Sequence, residues 1–427
     1  MTYRSLLSLG YPALAALALL AGCGDDELGG GPSGPPTTSS TGQGAGGAGG
    51  SGGSGGGDSS LEAILNELRT DLDGAMTAHA AQTGWPIPLA EGYLFVSTDP
   101  ELDRIAGDHD GWAGTTMNAE NGFRWLVLPS SAGDRYKFTD LETFVPDPWS
   151  RSYTYDNFGE MSLVPPEGAH LDRYFKIGDA AMAPRTVRTW VPAEAIDHVL
   201  YVQDGQNLFD PGANWGGWHL QDSAPPGMLL VGIDNTDARL AEYTHVPDQI
   251  EDGGQWIGGD GDAYADFLQD TVRPLIQGRY GEAGPIGVMG SSLGGLISFH
   301  IADRYPGVYA FAASLSGTMG WGSIGMGVTN ETIIERYVAH GHQATVLYLD
   351  SGGGGSCFDS DDDGINDDNE AAGDNYCENV QMRDALTLTA GYTLDVDLFH
   401  VWESGAEHNE EAWATRVGGP LGIFAGL

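Results

Sequence analysis

The chain has 427 residues, 41% of them hydrophobic and 10% aromatic, which excludes a disordered chain or a fibre and leaves room for two domains once a leader and a glycine-rich stretch are set aside. Sixty acidic residues against 18 basic ones give a formal net charge of −42, and Lys137 and Lys176 are the only lysines. So negative a surface repels phosphate backbones: nucleic acid is excluded as a partner and polyanionic substrates are disfavoured, whereas neutral ligands and divalent cations fit.

Residues 1–22 carry one early charge, Arg4, followed by the apolar run Leu14 to Leu20, too short to span a bilayer and suited to a secretory signal. Leu20-Ala21-Gly22-Cys23 resembles the lipobox of bacterial lipoproteins, in which the cysteine becomes the lipidated N-terminus; the resemblance implies export, a cell-envelope location and an anchor at Cys23. The following stretch, 23–57, has 16 glycines among its last 34 residues, too little apolar surface to offset ordering entropy, and is expected to act as a flexible tether.

A helical lead-in is predicted over 58–89. Ser59-x-x-Glu62 has the spacing of a capping box, and Leu61, Ile64, Leu65, Leu68, Leu72 and Met76 recur at helical intervals, giving a helix that packs on the next domain. From Tyr93 the pattern becomes short alternating runs, notably 105–112, Gly122 to Pro129 and Asp134 to Phe138, as in a half-buried antiparallel sheet. Residues 90–165 resemble the early-set immunoglobulin-like domain found ahead of glucan-acting enzymes and enterochelin-type esterases, a smaller N-terminal β-sandwich. Trp112, Trp125 and Trp149 are candidates for glycan contact there, or for its core.

From Arg185 the sequence alternates strand, loop and helix. Apolar runs at 199–202, 228–233, 285–289, 309–313 and 345–349 predict a mostly parallel sheet covered on both faces, within an α/β domain over 166–427. Gly290-Ser-Ser292-Leu-Gly294 lies between one such run and the helical segment Leu296 to Ile301, the strand, tight turn and helix that a nucleophile elbow requires, with Ser292 as nucleophile. A serine needs a histidine to take its proton and a carboxylate to hold that histidine's tautomer, in chain order Ser, acid, His. Of five histidines after Ser292, His300 lies in the helix after the elbow, His340 and His342 precede the acid, and His400 lies in a strand over 394–403. His408, between that strand and a final helix over 411–417, is the candidate base.

With Gly290 to Gly295, the segments Asp204-Gly-Gln-Asn-Leu-Phe-Asp210, Arg239-x-x-Glu242-Tyr243 and Gly405-Ala-Glu-His-Asn-Glu410 resemble the esterase D and enterochelin-esterase-like group of α/β-hydrolases, which also includes feruloyl and acetyl xylan esterases and mycolyltransferases. The resemblance covers about 185–427. It implies an α/β-hydrolase fold, a serine carboxylic-ester hydrolase with no catalytic cofactor, and an oxyanion hole from the backbone N–H groups of Leu293 and Gln206.

That family places its acid shortly after the strand that ends here at Asp350, but this chain inserts an acidic loop over 357–377. Asp359, Asp361, Asp363, the Ile365 carbonyl, Asp367 and Glu370 follow the D-x-D-x-D-G-x₅-E spacing of a calcium loop, with Gly364 at the turn; without long flanking helices the segment resembles thrombospondin type 3 loops. Structural Ca²⁺ is the expected ion. Cys357 and Cys377, the two cysteines left after Cys23, form the expected disulfide at the loop's base. With those carboxylates on metal, Asp350, Asp374 and Glu378 remain as acids; Asp374 is chosen as nearest the stapled base, with Asp350 next. The expected activity is hydrolysis of small or carbohydrate-linked acyl esters. A siderophore esterase, an acyltransferase on the same fold, and a non-catalytic surface carbohydrate-binding or adhesion protein are the alternatives.

Overall fold

The computed structural model describes residues 60–249, 254–281, 284–324, 329–367 and 373–427. The expected signal at 1–22, Cys23, the tether at 23–57, Ser59 and Glu370 lie outside the described residues.

The lead-in is two helices rather than one, Leu61–Thr70 and Leu72–Gln82. Asp71 leaves the helical region at φ −150° and its carboxylate accepts the Gly74 N–H, so it ends the first helix and caps the second. The first cap is Ser60, whose hydroxyl accepts the Ala63 N–H, and not Ser59. These helices bury Ile64, Leu65, Leu68 and Met76 against Leu94, Val96 and Phe123 of a four-stranded sheet. Phe95 points to the opposite face, as the two-residue repeat of a strand requires, and packs with Ile105, Tyr136 and Phe138 of a second sheet. Trp125 and Trp149 pack beside the helix-side cluster, and Trp112 lies against Phe144.

The second sheet of the sandwich does not end at residue 165. Strands Arg135–Thr139, Gly159–Leu163, Ser152–Asp156 and His170–Ile177 pair in that order and join the strand Arg185–Val191 (β1), so one 14-stranded sheet runs from the sandwich into the α/β half. Beyond β1 come β2 (His198–Gln203), β3 (Met228–Ile233), β4 (Ile286–Ser291), β5 (Phe311–Leu315), β6 (Val346–Ser351) and β7 (Leu398–Trp402), in spatial order β7-β6-β5-β4-β2-β3-β1. All of these neighbours are parallel except β3 and β1. Alternate residues feed two cores: Val199 and Tyr201 meet the helices around Tyr264, Ile276, Leu296 and Tyr337, whereas Leu200 and Val202 meet Trp413, Leu421 and Phe424.

Two boundaries move. The last strand is Leu398–Trp402, shorter than 394–403, because Asp395 turns the chain at φ 60° and the Asp397 carboxylate accepts the Thr393 N–H. The helix Glu410–Arg416 is not final: Gly418–Phe424 follows it, its Pro420 lying in a first turn where a missing N–H costs nothing.

Because the sandwich and the α/β half share a sheet, Phe95→Ala is expected to cost about 3–5 kcal/mol and to lower one common unfolding midpoint. Calorimetry showing two transitions, with only one displaced, would contradict this continuity.

Candidate active site

Parallel strands bring their C-terminal ends to one edge, and the chain reverses there after β4. Ser292 adopts φ 55° and ψ −125°, a conformation uncommon for a residue with a side chain, between β4 and the helix Leu293–Arg304. Its N–H donates to the Leu315 carbonyl at the end of β5. The flanking glycines are needed for close approach: a Cβ on Gly290 would lie 2.5 Å from the Gly294 carbonyl, and one on Gly294 would lie 3.1 Å from Gln203 Cβ and 3.3 Å from the Asp204 carboxylate. The helix start carrying the Leu293 N–H, outside the helix's own hydrogen-bond ladder, therefore packs onto the loop that carries Gln206.

That loop is held by ion pairs. Asp204, left-handed at φ 58°, accepts Arg239 Nε and Nη2 at 2.8 and 2.9 Å and Asn235 Nδ2 at 2.7 Å. Its N–H donates to Tyr243 Oη at 3.2 Å, and Glu242 pairs with the buried Arg185 at 2.7 and 2.8 Å. Gln206 Oε1 accepts the Asn235 N–H, and Asn207 donates to Glu410 Oε1 at 3.0 Å, tying the loop to the helix after His408. The arginine and tyrosine of the second motif thus brace the first, while its glutamate is held by Arg185. Arg185, Asn207 and Asn235 were not expected in this role, since only three-dimensional proximity reveals it.

His408 Nδ1 lies 2.8 Å from Asp374 Oδ1, with the two side chains 7% and 1% exposed. The ring meets Trp413 edge-on at 5.0 Å. The other Asp374 oxygen accepts the Gly352 N–H and the Ser316 hydroxyl. Ser316 directly follows β5, whose Leu315 pairs with Ser291, and the Thr318 N–H donates to the Ser292 carbonyl at 3.3 Å. Ser292 and the His408–Asp374 pair are thereby gathered at one sheet edge. Among the described residues Ser292 and His408 share no hydrogen bond; in sites without substrate that contact is commonly long and tightens on binding.

The other acids face elsewhere. Asp350 is fully buried, with Tyr348 Oη at 3.1 Å and Arg416 Nη2 at 3.3 Å. Burial pushes its carboxyl up to about 7, against the pull of Arg416 and Tyr348 and with the push of the Asp374 charge. Glu378 accepts the Gly320 N–H.

In the acidic loop, carboxylate oxygens of Asp359, Asp361 and Asp363 lie within 4.8 Å of one another. Asp359 accepts the Asp363 and Gly364 N–H groups, Asp363 accepts those of Ile365 and the Ser323 hydroxyl, and Asp367 accepts the Ser360 N–H. Desolvation, and then repulsion from Asp363, Asp367 and Asp359, raises the Asp361 carboxyl. The Ile365 side chain anchors the loop in the core. Cys357 and Cys377 are joined, with Cα atoms 5.3 Å apart.

A family model described as "Putative esterase" matches residues 184–417, more than half of the chain. The chain belongs to that esterase family. The uncharacterized protein YbbA of Bacillus subtilis (strain 168) is 33% identical over 123 residues, 28% of this chain and 49% of YbbA, so the chain spans about half the length of this curated relative. Among solved structures, an IroE-like serine hydrolase from Shewanella oneidensis is 18% identical with a TM-score of 0.45, over 60% of this chain and 80% of that one. The enterobactin esterase Fes of Shigella flexneri is 14% identical with a TM-score of 0.41, over 78% and 92%. MPT51 of Mycobacterium tuberculosis is 14% identical with a TM-score of 0.42, over 59% and 96%. At such values the ligands of those proteins do not transfer to this chain.

The raised Asp350 carboxyl has a consequence for stability. Between its unfolded value near 4 and its folded value of about 7, the folded protein holds a proton that the unfolded chain has lost, so this contribution is full below about pH 4 and is lost as pH rises through about 7. Asp350→Asn is therefore expected to gain melting temperature relative to wild type as pH rises from about 4 to about 8. A constant difference across that range would show that Asp350 does not titrate there.

Proposed function

We propose that this esterase is an exported, membrane-tethered serine hydrolase of carboxylic esters, acting through an acyl-enzyme on small or carbohydrate-linked acyl groups. The observation that carries the reading is the 2.8 Å contact between His408 Nδ1 and Asp374 Oδ1 beside a left-handed Ser292 at the C-terminal edge of the sheet. Asp374 keeps the proton on Nδ1, which leaves the Nε2 lone pair to take the Ser292 proton as Oγ attacks the ester carbonyl. The N–H groups of Leu293 and Gln206 receive the charge that develops on the carbonyl oxygen. His408 then returns the proton to the departing alcohol and activates a water that releases the acid from Ser292.

The leader, Cys23 and the glycine-rich tether support export and anchoring, and the disulfide suits an oxidising compartment. A calcium ion, held by Asp359, Asp361, Asp363, Asp367, Glu370 and the Ile365 carbonyl, would neutralise the loop's charge and stiffen the segment leading to Asp374. The net charge of −42 favours neutral esters over anionic siderophores.

Ser292→Ala is expected to lower turnover of p-nitrophenyl acetate by about 10⁴-fold or more and to abolish labelling by a fluorophosphonate; a variant that still turns over normally sinks the assignment, and an unlabelled wild type favours a non-catalytic binding protein. Chelation with EDTA is expected to lower the melting temperature, with recovery on adding Ca²⁺ but not Na⁺. Superimposable melting curves would remove calcium from the loop.

A further inference from the structure

A serine hydroxyl has one proton to donate and two lone pairs. At Ser316 all three are used. Trp413 Nε1 and Arg416 Nη2 approach its oxygen at 3.1 and 2.8 Å, and neither group can accept, so the hydroxyl proton is directed to Asp374 Oδ2 at 2.8 Å. Ser316 is itself buried and left-handed at φ 51°, its N–H on the Asp350 carbonyl and its own carbonyl accepting Asn375 Nδ2. Arg416, with 3% of its side chain exposed, also lies 3.3 Å from Asp350 Oδ1 and 3.5 Å from Asp374 Oδ2. Trp413 and Arg416 belong to the helix that begins two residues after His408. One short helix thus packs Trp413 against the imidazole and reaches, through Arg416, the carboxylate oxygen that the imidazole leaves free.

We propose that Ser316 and Arg416 are positioning residues of the catalytic site: the Ser316 hydroxyl, its proton direction fixed by Trp413 and Arg416, holds the Asp374 carboxylate on His408, and the Arg416–Asp350 pair sets the charge that the His408 imidazolium experiences. The inference rests on the reading of Ser292, His408 and Asp374 given above.

The charged and titratable groups around Asp374 are His408 from the loop after β7, Asp350 and, through it, Tyr348 from β6, Arg416 from the helix Glu410–Arg416, and Glu403, 3.9 Å from Arg416 Nη1. Glu378 and Glu410 are turned to Gly320 and Asn207. The signs follow from charge alone. Losing the Ser316 hydroxyl leaves more negative charge on the carboxylate facing His408, so the imidazolium is stabilised and the acidic limb of kcat/KM moves to higher pH. Replacing Arg416 by a neutral side chain acts in the same direction. Where Asp350 is ionised, replacing it removes a negative charge behind the pair and moves the limb to lower pH.

The test is the pH dependence of kcat/KM for p-nitrophenyl acetate with the full chain, alongside melting temperatures at each pH. Ser316→Ala and Arg416→Gln are expected to raise the limb by roughly half a pH unit or more, Asp350→Asn to lower it, and Arg416→Lys to return it toward wild type. Lower rates with an unmoved limb, or shifts of one sign in Ser316→Ala and Asp350→Asn, would overturn the proposal and leave these residues a merely structural role. If the alanine or glutamine variant does not fold, the isosteric Asp350→Asn decides by the sign of its shift. Normal turnover in Ser292→Ala would instead remove the underlying reading, whereas an inactive Ser292→Ala with unmoved limbs removes this inference alone.

Discussion

Everything at the site depends on the Asp374 carboxylate being held in a fixed orientation at the end of a long insertion. A loop of this length would ordinarily leave its distal residue with many orientations, and a carboxylate that can rotate does not hold a tautomer. Here the freedom is removed from several directions. The Gly352 N–H and the Ser316 hydroxyl fix one oxygen, His408 meets the other, and the disulfide at Cys377 pins the chain three residues further on. The left-handed φ of 55° at both Asp374 and Asn375 is the backbone cost of turning the carboxylate inward, and the Asn375 amide offsets it by donating to the Ser316 carbonyl.

The same logic governs the other half of the site. Ser292 and Ser316 end adjacent parallel strands, and both adopt positive φ, at 55° and 51°. A register that pairs Ser291 with Leu315 and Leu315 with Asp350 sets the two reversals side by side. The insertion is thus accommodated without moving the chemistry: the acid departs from the end of β6 in sequence and returns to it in space, with the Gly352 N–H waiting there. Asp350, at the end of the strand, is paired with Tyr348 and Arg416 instead of the imidazole.

How much of this was legible in the sequence varies with the range of the interaction. The elbow, the parallel strands and His408 follow from local patterns, because a strand, a left-handed turn and a helix each constrain their own residues. Asp374 could be narrowed to a few carboxylates by counting which were left over from the acidic loop, but the partner that selects it, Ser316, lies 58 positions away and carries no motif. The single lead-in helix was misread because Leu72 and Met76 continue the apolar period across Asp71, whose capping bond outweighs the pattern. The last helix was missed because Gly418-Gly-Pro420 reads as a stop, although the first turn of a helix tolerates all three. The continuity of the sheet across residue 165 depends on pairing between Ser152–Asp156 and His170–Ile177, which no single-strand pattern encodes.

The distribution of the scarce positive charge links the interior to the surface. With 18 basic residues against 60 acidic ones, an even scatter would leave few cations for any one region, yet Arg185, Arg188, Arg239 and Arg416 all lie beneath the sheet edge that carries the site. Each is paired with a carboxylate that lies in or behind a functional loop: Glu242, Asp234, Asp204 and Asp350. Buried pairs of this kind contribute little net stability, because desolvation cancels most of the attraction, but breaking one is costly, so they serve to select one geometry. Cations committed to inner carboxylates are not available to attract ligands at the surface. The arrangement therefore fits a rigid sheet edge in which the inner carboxylates are neutralised, beneath an outer surface whose field is strongly negative.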